Sequence, residues 1–205
     1  PLPIRESLQL GELTFRVTLD DENRKLNLNR LRGSQDAEHL LQMIHRFAGG
    51  GLRVDLRPMP ASSLGVRPFD SWGHVLDFLP SDDARQQCDQ IEELCRMVTC
   101  WGSGKVNMRR CEDEVLRTVG NLAAGPVTAN RLVALRENEP RLERDALLTR
   151  LATDARKLAV LKGWLSDASD CYALWIVAGD RRASLDLFVR ENTSSESHTV
   201  KHFQW

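Results

Sequence analysis

The sequence predicts an α+β protein in which an antiparallel sheet is interrupted by a large inserted helical domain. An alternating strand pattern lies near the start of the chain, apolar strand patterns return near its end, and helix-like patterns fill the middle. Because the early strand needs partners and only the late strands offer them, both ends of the chain are expected to build one sheet.

The early strand is predicted at Leu13–Asp20, where apolar and polar residues alternate as in a half-buried antiparallel strand. The late strands are predicted at Tyr172–Ala178, Ala183–Glu191 and Val200–Trp205. These patterns place the sheet in residues 1–32 and 166–205, with the inserted helical domain in residues 33–165.

The helical block contains several segments with apolar residues at helical spacing. Ser34 is expected to cap the first helix, and the acidic run Ser81–Asp83 is expected to begin another that continues to about Cys100. The remaining helices are predicted from Asp70 or Ser71 to Leu79, then at Glu112–Val119, Ala129–Glu137 and about Glu143–Leu165.

Two short segments repeat the order Lys, apolar residue, Asn. They are Lys25-Leu26-Asn27, followed by Asn29, and Lys105-Val106-Asn107. Each runs into a helix-like pattern. Asn side chains readily bond the local backbone, so these are expected to satisfy backbone groups where a strand gives way to a helix.

Residues 105–137 resemble a helix–hairpin–helix unit with its hairpin at Gly120–Pro126. DNA-binding units of this kind hold a phosphate with backbone amides of a tight Gly-x-Gly turn. Here the glycines are separated and Pro126 has no N–H. A structural role is favoured, and a nucleic-acid-binding module is the alternative.

Composition and motifs argue against an enzyme, a small-molecule substrate or a nucleic-acid partner. The chain has 205 residues and a net charge of −1, so it carries no overall field that would attract nucleic acid. The run Gly102–Lys105 lacks the Ser or Thr that a phosphate loop needs after its Lys. The acidic clusters Asp20–Glu22 and Asp82–Asp83 lack the spacing of a calcium loop, and a strand-end turn and a helix start explain them.

The five cysteines leave two interpretations open. Cys88 and Cys95 share an apolar stripe at helical spacing, which favours burial as small hydrophobic residues. The alternative is a disulfide, which would join Cys95 or Cys100 to Cys111, or would use Cys171.

The chain resembles protein K of the type II (general) secretion pathway, a minor pseudopilin family. The resemblance spans roughly Leu13 to Arg190. It rests on a strand ending in an acidic turn before Lys25-Leu26-Asn27-Leu28-Asn29, on Lys105-Val106-Asn107, and on a closing hairpin at Tyr172–Arg190. Residues 109–112 replace the Asn-Thr-Ala-Pro of the family, so the resemblance is to a divergent member.

The resemblance implies a pseudopilin-like sheet carrying the helical insertion and a position at the pseudopilus tip beside other minor pseudopilins. It also implies an N-terminal membrane helix ahead of Pro1, with this domain in the periplasm at the inner membrane. The implied role is support of protein export across the outer membrane, without catalysis. Calcium is an expected ligand only because some members bind it, and no other cofactor is implied.

Overall fold

A computed structural model describes residues 3–34, 36–58, 69–151, 154–178, 184–192 and 198–204, with side chains up to residue 177. The predicted α+β class is confirmed. The strands are β1 (Ile4–Leu10), β2 (Leu13–Asp21), β3 (Leu26–Asn27), β4 (Val54–Leu56), β5 (Leu76–Phe78), β6 (Val98–Thr99), β7 (Val106–Asn107), β8 (Leu165–Ser166), β9 (Cys171–Ala178), β10 (Ser184–Asn192) and β11 (His198–Gln204). The helices are α1 (Leu28–Ser34), α2 (Ala37–Phe47), α3 (Trp72–Val75), α4 (Ala84–Met97), α5 (Asp113–Ala124), α6 (Pro126–Asn138), α7 (Arg144–Arg150) and α8 (Ala155–Trp164).

The main sheet joins both ends of the chain, as the early and late strand patterns predicted. Its strand order is β1-β2-β9-β10-β11, and each neighbouring pair is antiparallel. In the central pair, Leu19 lies opposite Leu174 and Val17 lies opposite Ile176. Apolar residues of the two ends therefore share one face of the sheet.

The chain divides into two compact units. One contains residues 1–24 and 101–205, which include the sheet and helices α5–α8. The other contains residues 25–100. These limits differ from the predicted segments 1–32, 33–165 and 166–205, because the later helices group with the sheet and the earlier ones do not.

Each unit has a core of aliphatic side chains. In residues 25–100 the fully buried side chains include Leu26, Leu31, Leu40, Ile44 and Leu94. In the other unit helices α5, α6, α7 and α8 bury Leu116, Leu132, Leu147 and Leu161. In the described part of the chain no helix is both long and apolar enough to span a bilayer.

Several helix limits differ from the prediction because polar caps and short strands intervene. Asp36, rather than Ser34, caps α2 by accepting a hydrogen bond from the His39 N–H at 2.9 Å. Asp154 accepts the Lys157 N–H at 2.9 Å and starts α8, so the single helix predicted at 143–165 is two helices. The helices predicted to reach Leu79 and Cys100 end at Val75 and Met97, where the backbone extends into β5 and β6.

Strand β1 was not predicted. It pairs with β2 through a two-residue turn at Gly11 and Glu12, with Leu10 opposite Leu13. Gly11 has a φ of 62°, which suits a tight hairpin turn and favours glycine. All seven residues of β1 are exposed, and Glu6 interrupts its apolar alternation.

Candidate functional site

The first Lys-x-Asn segment forms a short strand that leads into a helix. Strand β3 pairs in parallel with β6, with Leu26 opposite Val98 and Asn27 opposite Thr99. The Asn27 side-chain oxygen accepts the N–H of Arg30 at 3.1 Å, which caps the first turn of α1. Lys25 and Asn27 are buried, so this segment is part of the interior of its unit.

Asn29 ties the same helix to two loops of its unit. Its side-chain N–H group donates to the carbonyls of Phe69 and Cys100 at 2.9 and 2.8 Å, and its oxygen accepts the Phe69 N–H at 3.0 Å. One side chain thus satisfies three backbone groups that belong to no regular element. This contact pattern assigns Asn29 a structural role.

The second Lys-x-Asn segment has the same form in the other unit. Strand β7 pairs in parallel with β8, with Val106 opposite Leu165 and Asn107 opposite Ser166. The Asn107 side-chain oxygen accepts the Arg109 N–H at 3.1 Å, and its amide donates to the Ser169 hydroxyl at 2.8 Å. Lys105 is exposed, but its backbone carbonyl accepts a hydrogen bond from the Asn23 side-chain amide at 3.1 Å.

The two segments share one structural feature, which is a parallel pairing of two-residue strands. In each, a two-residue strand pairs in parallel with a strand that directly follows a helix, α4 in the first and α8 in the second. Along the chain, four described helices separate the two paired strands in each case, α1–α4 between β3 and β6 and α5–α8 between β7 and β8. The partner strands escaped sequence analysis because two residues are too few to display a periodicity.

The acidic residues at the end of β2 are buried, and the carboxylates of Asp20 and Asp21 are engaged by polar partners. The Asp21 side chain is fully buried. It accepts hydrogen bonds from the Asn23 N–H at 3.0 Å, the Arg110 guanidinium at 3.1 Å and the Ser169 hydroxyl at 2.6 Å. Asp20 pairs with Arg24 at 3.1 Å. These contacts fit the strand-end turn expected for this cluster.

Asn23 extends this network to the start of β9. Its side-chain oxygen accepts the N–H groups of Asp170 and Cys171 at 3.0 and 2.8 Å, and its amide donates to the Lys105 carbonyl at 3.1 Å. Asn23 is only 3% exposed. One side chain thereby connects the end of β2 to the start of β9 and to the residue before β7. The sequence did not predict this role for Asn23.

The helix–hairpin–helix segment is tighter than predicted. Helix α5 continues through Gly120 to Ala124, and Gly125 alone, at a φ of 90°, separates it from α6. Gly120 lies against α6, since a Cβ on it would be 2.7 Å from the Cα of Ala129. The hairpin predicted at Gly120–Pro126 is therefore wrong in length, and its first glycine serves helix packing instead.

Arg136 of α6 anchors the turn that precedes α5. Its guanidinium donates to the carbonyls of Met108 and Cys111 at 3.1 and 2.7 Å and pairs with the Asp113 carboxylate. The cation thus satisfies carbonyls of a non-helical turn and is neutralised by the first residue of the helix it supports. Its hydrogen-bonding groups serve the fold and are not presented to an external anion.

The five cysteines all lie in the described part of the chain. The five cysteines form no disulfide in the described part of the chain, so the disulfide considered from the sequence is not present. Cys88 is exposed, which overturns its predicted burial, and Cys95 is half-buried. Burial raises the pKa of the Cys111 thiol to about 12. Within the described residues, no group of three or more His, Cys, Asp or Glu side chains is placed to hold a metal ion.

Comparison with known proteins shows the fold. No model of a known protein family matches the sequence, and neither does any curated protein. Among solved structures, a chain of the crystal structure of the GspK-GspI-GspJ complex from the enterotoxigenic Escherichia coli type 2 secretion system is similar. Its TM-score is 0.56 and its sequence identity is 15%, over 98% of this chain and 83% of that chain. The fold is therefore similar to that of a chain in this complex.

Proposed function

We propose that this chain is a minor pseudopilin that acts at the tip of a type II secretion pseudopilus. The observation that carries the proposal is a fold similarity over 98% of the chain to a chain from a complex of three type 2 secretion proteins. The two Lys-x-Asn segments support it, because both form a two-residue strand paired in parallel and both belong to the motif on which the family resemblance rests.

The internal network supports an assembly role rather than catalysis. Asp21, Asn23 and Arg136 direct their polar atoms to backbone and side-chain groups of their own unit. A catalytic group must instead reach a substrate atom within hydrogen-bonding distance. These three residues therefore serve the fold, and we propose that the chain works as a stable subunit that presents surfaces to neighbours rather than as an enzyme.

The proposed location is the periplasmic side of the bacterial inner membrane, with an N-terminal helix as the anchor. The proposed partners are other minor pseudopilins, and the proposed role is to support protein export across the outer membrane. Calcium is retained as a proposed ligand on the family resemblance alone.

The test is co-purification of this chain with the soluble domains of the minor pseudopilins encoded beside its gene. A complex of fixed stoichiometry by size-exclusion chromatography with light scattering is expected. An unrelated major pseudopilin domain serves as the control and is expected to elute separately. A folded chain that binds none of these domains would contradict the assignment.

A second measurement separates the assembly role from nucleic-acid binding. Titration with duplex DNA at low and moderate salt is expected to show no specific complex, because the α5–α6 junction is one glycine followed by a proline without an N–H. Salt-dependent binding that is lost on substitution in this junction would favour the nucleic-acid alternative.

A further inference from the structure

The outer edge of β1 is an open template for another strand. β1 is the terminal strand of the main sheet, and no strand in the described ranges pairs with its second edge. It is seven residues long and contains no proline, and its one acidic and one basic residue are adjacent. Such an edge presents unpaired N–H and C=O groups that commonly recruit another strand.

The hairpin register determines which residues present those groups. Leu10 and Leu13 close a two-residue turn, so they form a hydrogen-bonded pair. The hydrogen-bonded positions then recur at every second residue of β1, and the intervening residues direct their backbone groups away from β2. These outward residues are Arg5, Ser7 and Gln9.

This edge is self-complementary about Ser7. If a second copy approaches antiparallel with Ser7 opposite its counterpart, Arg5 lies opposite Gln9 and each outward residue meets another outward residue. Three hydrogen-bonded pairs give six backbone hydrogen bonds. A register centred on Glu6 gives four backbone hydrogen bonds and places Glu6 opposite the Glu6 of the other copy. A register centred on Leu8 also gives four backbone hydrogen bonds. The Ser7-centred register is therefore favoured.

The side chains support the same register. Ile4, Leu8 and Leu10 are 47, 57 and 73% exposed, and together with Leu13 of the same hairpin they make up four of the six exposed large hydrophobic residues found in the described part of the chain. In the Ser7-centred register Ile4 lies opposite Leu10 of the other copy, and no like charges face each other. Pairing would bury Ile4 against Leu10 of the other copy at both ends of the paired segment, while Leu8 would lie opposite Glu6.

We propose that this chain forms a two-fold symmetric dimer in which the β1 strands of two copies pair antiparallel about Ser7 and join their sheets. The occupant of the edge is a second copy, because this register pairs all the outward backbone groups of β1, places Ile4 opposite Leu10 and brings no like charges opposite each other. The proposal rests on the β1 edge alone and does not depend on the function proposed above.

Sedimentation equilibrium of the 205-residue chain tests the dimer. The fraction of dimer is expected to rise with protein concentration over a range that extends to about 100 μM. Ser7→Pro removes an outward N–H from each copy without breaking the β1–β2 ladder, and it is expected to raise the dissociation constant about 10- to 100-fold. Ser7→Ala keeps the N–H and is expected to dimerise like the parent. A monomer at all concentrations, or equal dimerisation of the Pro and Ala variants, overturns the proposal.

Disulfide trapping tests the register independently of any proline effect on folding. In a Cys88→Ser background, Ser7→Cys places two thiols on residues whose Cα atoms are about 5.5 Å apart across the two-fold axis, within disulfide reach. Arg5→Cys is the matched control, because the Cα atoms of its two copies would lie roughly 14 Å apart. Rapid cross-linking of Ser7→Cys alone is expected. Cross-linking of neither variant, or of both at equal rates, overturns the Ser7-centred pairing.

Discussion

Replacing Asn23 by alanine should destabilise the unit that contains the main sheet. The substitution removes the partners of three backbone groups, the N–H groups of Asp170 and Cys171 and the carbonyl of Lys105. Each unsatisfied buried group costs about 1–3 kcal/mol. Because water can enter part of the vacated space, we expect a total loss of roughly 3–5 kcal/mol, at the high end for a single substitution.

Urea unfolding followed by far-ultraviolet circular dichroism measures this loss, provided that the m-value stays close to that of the parent. Asn130→Ala is the matched control, since Asn130 is exposed on α6 and its replacement should change the free energy of unfolding by less than about 0.5 kcal/mol. A loss below about 1 kcal/mol for Asn23→Ala would show that these hydrogen bonds are readily replaced by water, and the reasoning would fail.

Three further predictions concern packing and ionisation. Gly120→Ala should lower the free energy of unfolding by about 1–3 kcal/mol, because its Cβ would overlap the backbone of α6, whereas Gly33→Ala, with open space around it, should be neutral or slightly stabilising in the same urea assay. The pKa of His39 is raised by its hydrogen bond to Asp36, so Asp36→Asn should lower that pKa in an NMR titration, and an unchanged pKa would refute the contact. The buried Cys111 thiol, with its pKa raised to about 12 from an ordinary 9.0, should make the folded state lose stability as the pH rises above 9.0, because the unfolded chain releases that proton first. Cys111→Ser should reduce this alkaline loss, and an identical pH profile would contradict it.

Much of the sheet could be predicted because its central strands alternate or are continuously apolar over seven or more residues. Leu13–Asp20 and Tyr172–Ala178 both form strands close to their predicted limits. Strand β1 could not be predicted, since it buries no face and its apolar pattern is broken at Glu6. Periodicity reports burial, so an exposed edge strand leaves little trace of it in the sequence.

The candidate site was predicted in part. The Lys-x-Asn repeat located Asn27 and Asn107 through the preference of Asn for local backbone hydrogen bonds, and it included Asn29, although the partners of Asn29 at Phe69 and Cys100 are 40 and 71 residues away. Asn23 was missed, because its partners at Lys105 and Cys171 are 82 and 148 residues away. A side chain that bonds distant backbone carries no local signature. The length of the helical hairpin was missed for a related reason, since Gly120 is required by the close approach of Ala129 and not by a turn.

The parallel pairing of two-residue strands has a consequence for how the chain can change in length. Leu26 lies beside Val98, and Val106 lies beside Leu165. The helical segment that follows β3 or β7 in the chain therefore begins and ends at neighbouring positions. The closure entropy of such a segment grows only by about 0.6 kcal/mol for each doubling of its length. Helices could therefore be gained or lost over evolution between β3 and β6, or between β7 and β8, while the strands of the main sheet keep their register.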